Sequence, residues 1–416
     1  MHPYFEKYAF RHHPIILEEI DDALGIIVVI PCYNEVNLLA SLNALSKCNP
    51  PCCSVEVIIV INAAENEEEN VLKQNSLTKQ EVEKWTKENS FNWCKYFILE
   101  ENALPQKHAG VGLARKIGMD EAAYRLLQSK NEQQLIVCFD ADSLCESNYL
   151  EAIDQHFKVN LKSSSCSVHF EHPIDDSDIC DEEIIRHIIS YELHLRYYKQ
   201  AIAYAQLPFA YHTIGSSMAV RMENYLAQGG MNKRKAGEDF YFLQKFIELG
   251  NHTELNTTTV IPSPRPSNRV PFGTGKAVQD MLSAEDENLF TYNPQSFEDL
   301  RQFATLIKVH KTAFSRQHFV SLSSILKEFL LQNDFWNKLN EVIINSNEIT
   351  FLSRFYKWFN AFKTLKFVHY ARDNVYHNIT VKKAAKKLLD NNDIEHTYET
   401  EKDLLLLYRE LDKINH

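Results

Sequence analysis

Apolar positions in the first third of the chain fall into four unbroken runs separated by longer amphipathic stretches. The runs are GIIVVI from Gly25, VEVIIVI from Val55, KYFIL from Lys95 and LIVCF from Leu135. They are rich in Val and Ile and do not alternate with polar residues, the pattern of strands covered on both faces. Between them, EVNLLASLNAL and AGVGLARKIGMDEAAYRLLQ repeat apolar residues at helical spacing. The connector from Glu65 to Ser90 is acidic and polar and predicts a surface helix with loops. The resulting β-α-β-α-β-α-β order predicts an α/β fold with a mostly parallel central sheet, right-handed crossovers and flanking helices.

Further along, EEIIRHIISYELHLRYYKQAIAYAQ predicts a helix and GSSMAVRMENYLAQGG a short strand followed by a helix. GEDFYFLQKFIELG predicts a helix from Glu238 closed by Gly250. NTTTVIPSPRPSNRVPFGTG predicts a strand running into a Pro/Gly-rich loop. After about Lys276 the chain becomes aromatic-rich and helical. These shifts predict an N-terminal extension over 1–24, an α/β domain over 25–278 and a helical C-terminal subdomain over 279–416.

Parallel sheets bind ligands at the carboxyl ends of their strands, and three such ends carry polar groups here: PCYNE, NAAENE and DAD. A carboxylate at the end of a buried strand is costly unless it is paired or bound to a cation. Asp140 and Asp142, one residue apart, suit a hard cation, Mg²⁺ or Mn²⁺, which in turn would neutralise a diphosphate. The alternative is an N-cap role, with Asp142 or Ser143 opening a helix through Glu146. Tyr33 to Glu35 likewise has the alternative of a tight turn capped by Asn34. Glu238 and Asp239 open a helix, where the dipole favours acids with or without a function. Gly110 and Gly112 form G-x-G-x-x-R, which lacks the third glycine of a dinucleotide loop and predicts close packing of a helix start instead. Arg265 and Arg269 lie in the shaped loop SPRPSNRVPFGTG, able to grip an anion or simply to face solvent.

Charge narrows the partners. Lys and Arg number 44 against 56 Asp and Glu, a net charge of −12, which argues against a nucleic-acid partner held by its phosphates. No apolar run is long enough to cross a bilayer, and MHPYFEKYAFRHHP lacks the apolar core of a signal peptide. The nine cysteines are odd in number and form no paired CxxC spacing, so free thiols and a cytoplasmic location are expected. VKKAAKKLLD and RFYKWFNAFKTLKF are basic and amphipathic. They leave a peripheral membrane contact open beside a packed helical cap with a solvated face.

Taken in order, these blocks resemble the GT-A glycosyltransferases of the large family 2 type. VVIPCYNEVNLLASLNAL is similar to that family's opening strand, turn and helix, HAGVGLARKIGMDEA to its second helix, and IVCFDADS to its DxD motif. GSSMAVRMENYLAQGGMN with AGEDFYFLQK is similar to its acceptor-side segment ending in an ED pair. The resemblance covers about Gly25 to Val278 and leaves the C-terminal subdomain uncovered.

The resemblance implies a GT-A, Rossmann-like fold and a metal-dependent, hexosyltransferase-type enzyme. It would move a sugar from a nucleotide-diphosphate donor to an acceptor hydroxyl of a saccharide, lipid or small molecule, with inversion as the default. By it Asp140 and Asp142 would hold the metal and the donor's diphosphate and ribose, and Pro31, Tyr33 and Glu35 would line the pocket for base and ribose. Asn62 stands where the family usually has an acid that accepts from the base's ring N–H, which leaves the base open. Arg115 would reach the phosphates. Asp239 would take the acceptor's proton as general base. Glu238, Gly215, Arg265 and Arg269 would contact the acceptor or diphosphate. Two other classes remain in view. Nucleotidyl transfer is disfavoured because PCYNEVNLL carries no glycine or basic residue for a phosphate loop. A non-catalytic scaffold on the same fold would tolerate replacement of Asp239.

Overall fold

A computed structural model of the chain describes residues 2–175, 181–267, 273–285 and 288–414. The chain forms two compact units, one of Met1–Cys180 with Thr213–Gln279 and one of Asp181–His212 with Asp280–His416.

The elements begin with α1 (Pro3–Lys7), β1 (Leu24–Cys32), α2 (Leu38–Ser46), β2 (Ser54–Ala64), α3 (Glu69–Glu88) and β3 (Cys94–Leu104). There follow α4 (Val111–Leu126), β4 (Leu135–Cys138), β5 (Leu144–Cys145), α5 (Tyr149–Val159), β6 (Ser165–Phe170) and α6 (Glu182–Tyr204). Next come β7 (Met218–Arg221), α7 (Met222–Ala227), α8 (Glu238–Ile247), β8 (His252–Ile261) and α9 (Thr274–Leu282). The remainder is β9 (Phe290–Thr291), α10 (Gln295–His310), α11 (Arg316–Val320), α12 (Ser324–Gln332) and α13 (Phe335–Ile344). It closes with α14 (Phe351–Trp358), α15 (Ala361–Asn374), β10 (Ile379–Thr380), α16 (Val381–Asn391) and α17 (Glu401–Ile414).

In the first unit eight strands form one sheet in the order β3-β2-β1-β4-β7-β6-β8-β5. The pairs β1–β2, β2–β3, β1–β4 and β6–β8 are parallel, and the three pairs involving β7 or β5 are antiparallel. The α/β class with a mostly parallel sheet follows from the continuous apolar runs: all nine residues of β1 are buried. Helix α4 is pressed onto this sheet. A Cβ at Gly118 would come within 2.4 Å of Val29 and 2.9 Å of Val60, so only glycine permits the approach.

Strand β6, SCSVHF, has no apolar run to announce it. Its serines are buried because His252 of β8 bonds Ser165 Oγ at 2.8 Å and Ser167 Oγ at 2.9 Å. Cross-strand polar pairing here replaces apolar burial.

One of the expected boundaries differs from these units. Residues 2–24, expected as an extension, satisfy buried acids on α4. Asp120 accepts from the Tyr4 hydroxyl at 2.5 Å and the Phe10 amide at 2.8 Å, and Glu121 accepts from the Ile15 and Ile16 amides at 2.9 Å. Residues 181–212, placed by the sequence in the 25–278 domain, belong to the second unit. There α6 is held by α17: Arg409 binds Glu192 at 2.8 and 2.9 Å, and Arg196 binds Asp412 at 2.6 Å. All eight described cysteines are free thiols. No helix among the described residues is long and apolar enough to cross a membrane.

Candidate active site

The chain leaves β1 toward β2 on one side and returns to β4 on the other, so a crevice opens above the carboxyl ends of these three strands. The register pairs Val29 with Cys138 and Cys32 with Ile61, which brings the residues just beyond these positions to one level. A cavity of about 390 Å³ lies there, and Pro31, Tyr33, Glu35, Asn62, Asp140 and Asp142 line it.

Each wall residue is positioned by named contacts. Asn34 takes a φ of 48°, a left-handed turn that asparagine tolerates. Its amide donates to Asn75 Oδ1 at 2.9 Å, and Asn75 Nδ2 donates to the Asn62 carbonyl at 3.0 Å. Thr78 Oγ1 donates to the Glu35 carbonyl at 2.6 Å. Asn75 and Thr78 are buried on α3, so the helix expected to be a polar surface element clamps the β1 turn to the end of β2. Asn62 commits its amide nitrogen to the Cys32 carbonyl at 2.8 Å, which leaves Oδ1 as its acceptor. The Asp140–Ser143 segment closes as a turn, with the Ser143 amide on the Asp140 carbonyl at 3.1 Å, and Ser41 Oγ fixes the Ala141 carbonyl at 2.9 Å. The next helix, α5, starts only at Tyr149 with Asn148 as its N-cap. Asp142 and Ser143 therefore do not cap α5, the helix that the alternative reading of DAD had them open.

Two guanidinium groups organise the acids. Arg115, 1% exposed, does not line the cavity. It lies behind the wall, bonded to Asp140 at 2.6 Å and to Glu238, so it positions the first carboxylate of the pair. Gly215 makes room for it: a Cβ there would meet the Arg115 guanidinium at 2.8 Å. Arg265 spans Glu35 and Asp142, 2.9 Å from Glu35 Oε1 and 3.0 Å from Asp142 Oδ2. Arg269 lies outside the described residues.

Glu238 and Asp239 follow Gly237, whose φ of 66° starts α8. Burial raises the pKa of Glu238 above the usual carboxylate range despite Arg115 beside it. Asp239, half-buried, accepts from the Phe240 amide at 2.7 Å. Burial first, and then the adjacent Glu238, push its carboxyl up to about 7. One guanidinium thus serves three neighbouring carboxylates, Asp140, Glu238 and Asp239, all of which act electrostatically on it.

The cavity also has walls that were not singled out as site residues: Asn66, Glu67, Gln106, Gly110, Lys235 and Ser267. Lys235 is the informative one. In the run Lys233-Arg234-Lys235, Lys233 stacks over Phe10 at 5.2 Å and Arg234 over Tyr241 at 3.6 Å. Lys235 alone of the three turns to the cavity and has no carboxylate partner among the described residues. Three consecutive cations just before the ED pair were the signal for it. Gly112 packs the start of α4 against this loop, where a Cβ would meet the Arg234 carbonyl at 2.1 Å.

Among the described residues no group of three His, Cys, Asp or Glu side chains is arranged as a metal cage. Asp140 and Asp142 fit a different mode. Mg²⁺-type ions commonly take one or two protein carboxylates and fill their other positions with phosphate oxygens and water. An ion at Asp142 would share that carboxylate with Arg265.

No family model and no curated protein matches the chain. Among solved structures it is similar to S. aureus TarS 1–349 in complex with UDP-GlcNAc, at 16% identity and TM-score 0.41, covering 93% of this chain and 92% of that one. It is also similar to the mannosyltransferase PcManGT from Pyrobaculum calidifontis in complex with GDP-Man and Mn²⁺, at 13% identity and TM-score 0.38, covering 94% and 86%.

Proposed function

We propose that the chain is a glycosyltransferase that moves a hexose-type sugar from a nucleotide-diphosphate donor to an acceptor hydroxyl. One observation carries this reading: Asp140 and Asp142 meet Tyr33, Glu35 and Asn62 around one cavity, with a carboxyl titrating near neutrality, Asp239, in the cluster behind it.

The base and ribose fit between Pro31, Tyr33, Glu35 and Asn62. With its nitrogen committed to Cys32, Asn62 offers Oδ1, an acceptor that suits a ring N–H. Uracil, thymine and guanine carry one, and adenine and cytosine do not, so the donor is a uridine, thymidine or guanosine diphosphate sugar. Asp140 and Asp142 would hold Mg²⁺ or Mn²⁺, which when bound supplies charge to offset the departing diphosphate. Lys235 adds a cation from the opposite loop. Arg265 bridges Glu35 and Asp142.

Asp239 does not line the cavity itself, but it is half-buried rather than enclosed like Arg115; in this reading it takes the proton of the acceptor hydroxyl as its oxygen bonds to the anomeric carbon and the bond to the diphosphate breaks. A base poised near the working pH is suited to this step. Attack opposite the leaving group inverts the configuration.

The test is a panel of nucleotide sugars, including UDP-GlcNAc and GDP-Man, with Mn²⁺, Mg²⁺ or EDTA, read by release of nucleoside diphosphate. Metal-dependent turnover of one base class, lost in Asp142→Ala, supports the reading. Release of pyrophosphate instead would move it to nucleotidyl transfer. No turnover and no thermal shift with any nucleotide would favour a scaffold.

A further inference from the structure

The segment RFYKWFNAFKTLKF takes no part in the site above. In the second unit it supplies the second half of α14 and the start of α15, and α13 and α14 enclose an open groove of about 400 Å³. Lys338, Glu341, Asn345, Arg354, Lys357 and Trp358 are among the residues that line it. Residues 335–367 carry five cations, Lys338, Arg354, Lys357, Lys363 and Lys366, against only Glu341 and Glu348, in a chain of net charge −12. Both acids are occupied, Glu341 by Lys338 at 2.8 Å and Glu348 by Lys311 at 3.2 Å. The Lys363 ammonium lies 5.0 Å from the Trp358 ring centre. Burial first, and then Lys366 and Lys338, lower the pKa of Lys363.

Apolar groups stand beside this charge. Ile344 and Ile349 flank the turn between α13 and α14 and are 72% and 89% exposed, the latter the most exposed large apolar side chain among the described residues. Scattered exposed aliphatics are ordinary. Two at the ends of the turn that joins the two helices of a tryptophan-lined groove are a different combination.

We propose that this groove docks the chain on an anionic bilayer surface. Arg354 and Lys357 take lipid phosphates, and Ile344 and Ile349 enter the boundary between headgroups and acyl chains. Charge complementarity selects an anionic partner. The exposed pair Ile344 and Ile349 selects a bilayer over an anionic polymer, which has no apolar layer to receive them. An acidic chain is repelled by such a surface except through a local basic face, so the patch also sets which face is presented.

The experiment is flotation of the full chain with vesicles of phosphatidylcholine, and of phosphatidylcholine with phosphatidylglycerol, alongside soluble polyphosphate as competitor. Binding is expected only to the anionic vesicles. Each cation removed in Arg354→Glu with Lys357→Glu lowers the partition coefficient about fivefold, and Ile349→Ser lowers it as well. Lys73→Glu with Lys84→Glu, an equal change of charge at exposed sites elsewhere, leaves it nearly unchanged. Thermal midpoints of all variants are compared, and Ile349→Ser cannot unfold a core it does not enter. Three results would each overturn the proposal: equal binding to both vesicle types, equal loss in the control variant, or polyphosphate binding that matches vesicle binding and ignores Ile349→Ser.

Discussion

Two clusters of buried acids and guanidinium groups in this chain reach opposite electrostatic ends. In the second unit Asp412 is 1% exposed and accepts from Arg196 and Gln200 at 2.6 Å, His212 at 2.8 Å and Lys199 at 3.2 Å. Burial alone would raise its pKa, but His212, Lys199 and Arg196 outweigh it and hold the carboxyl well below its ordinary range. In the first unit three carboxylates share Arg115, and Asp239 is pushed up to about 7. The first cluster is complete in itself and serves to fix α6 to α17. The second is short of positive charge beside a cavity, which is what a site awaiting a cation or a proton requires.

The largest effect that would break this contrast is chemical. Asp239→Asn should lower transfer about 10²- to 10⁴-fold, measured as product formation at saturating donor, with no loss of thermal midpoint at pH 8. The sign follows from its pKa, which folding raises. Its contribution to stability is full below the usual carboxylate range and is lost as pH rises through about 7, so removing the charge costs the fold nothing at pH 8. Asp412→Ala should behave in the opposite way, losing about 3–5 kcal/mol of stability in denaturant melts because it strands buried cations. Donor affinity at temperatures where the variant is folded should be retained.

Smaller effects sharpen the comparison. Gly215→Ala should cost about 1–3 kcal/mol by overpacking and should also displace Arg115, so donor affinity falls together with stability. The finest test is titration. The kcat/KM profile should rise through an apparent pKa near 7, and the rising limb should vanish in Asp239→Asn. Asp412 has the reverse linkage: its depressed pKa supplies stability above the unfolded carboxylate range and loses it as pH falls through the folded value. Acid melts of Asp412→Ala should therefore lack that part of the wild type's acid sensitivity.

Much of the first unit was legible because burial on both faces leaves continuous apolar runs, and β1, β2 and β4 appear in the sequence as such. The carboxyl ends of those strands put Tyr33, Asn62, Asp140 and Asp142 around one cavity. Strand β6 stayed hidden because its inward groups are serines satisfied by His252. Asn75 and Thr78 stayed hidden because their task, holding the turn after β1, depends on which residues of α3 face the sheet. No periodicity in an acidic stretch reveals that. The partition of residues 181–212 was equally invisible, since α6 joins the second unit through partners more than 200 positions away, such as Asp412. Arg115 was visible as a basic residue near the site, but its role behind the wall depends on Gly215 and Glu238 meeting it in space.

The most direct measurement is calorimetric binding of UDP, dTDP and GDP, with and without Mn²⁺, to the wild type, Asp142→Ala and Asp412→Ala. The account predicts metal-dependent binding of at least one of the three nucleotides to the wild type, its loss in Asp142→Ala and its retention in folded Asp412→Ala. Binding that is indifferent to both the metal and Asp142, or no binding of any of the three, would contradict it.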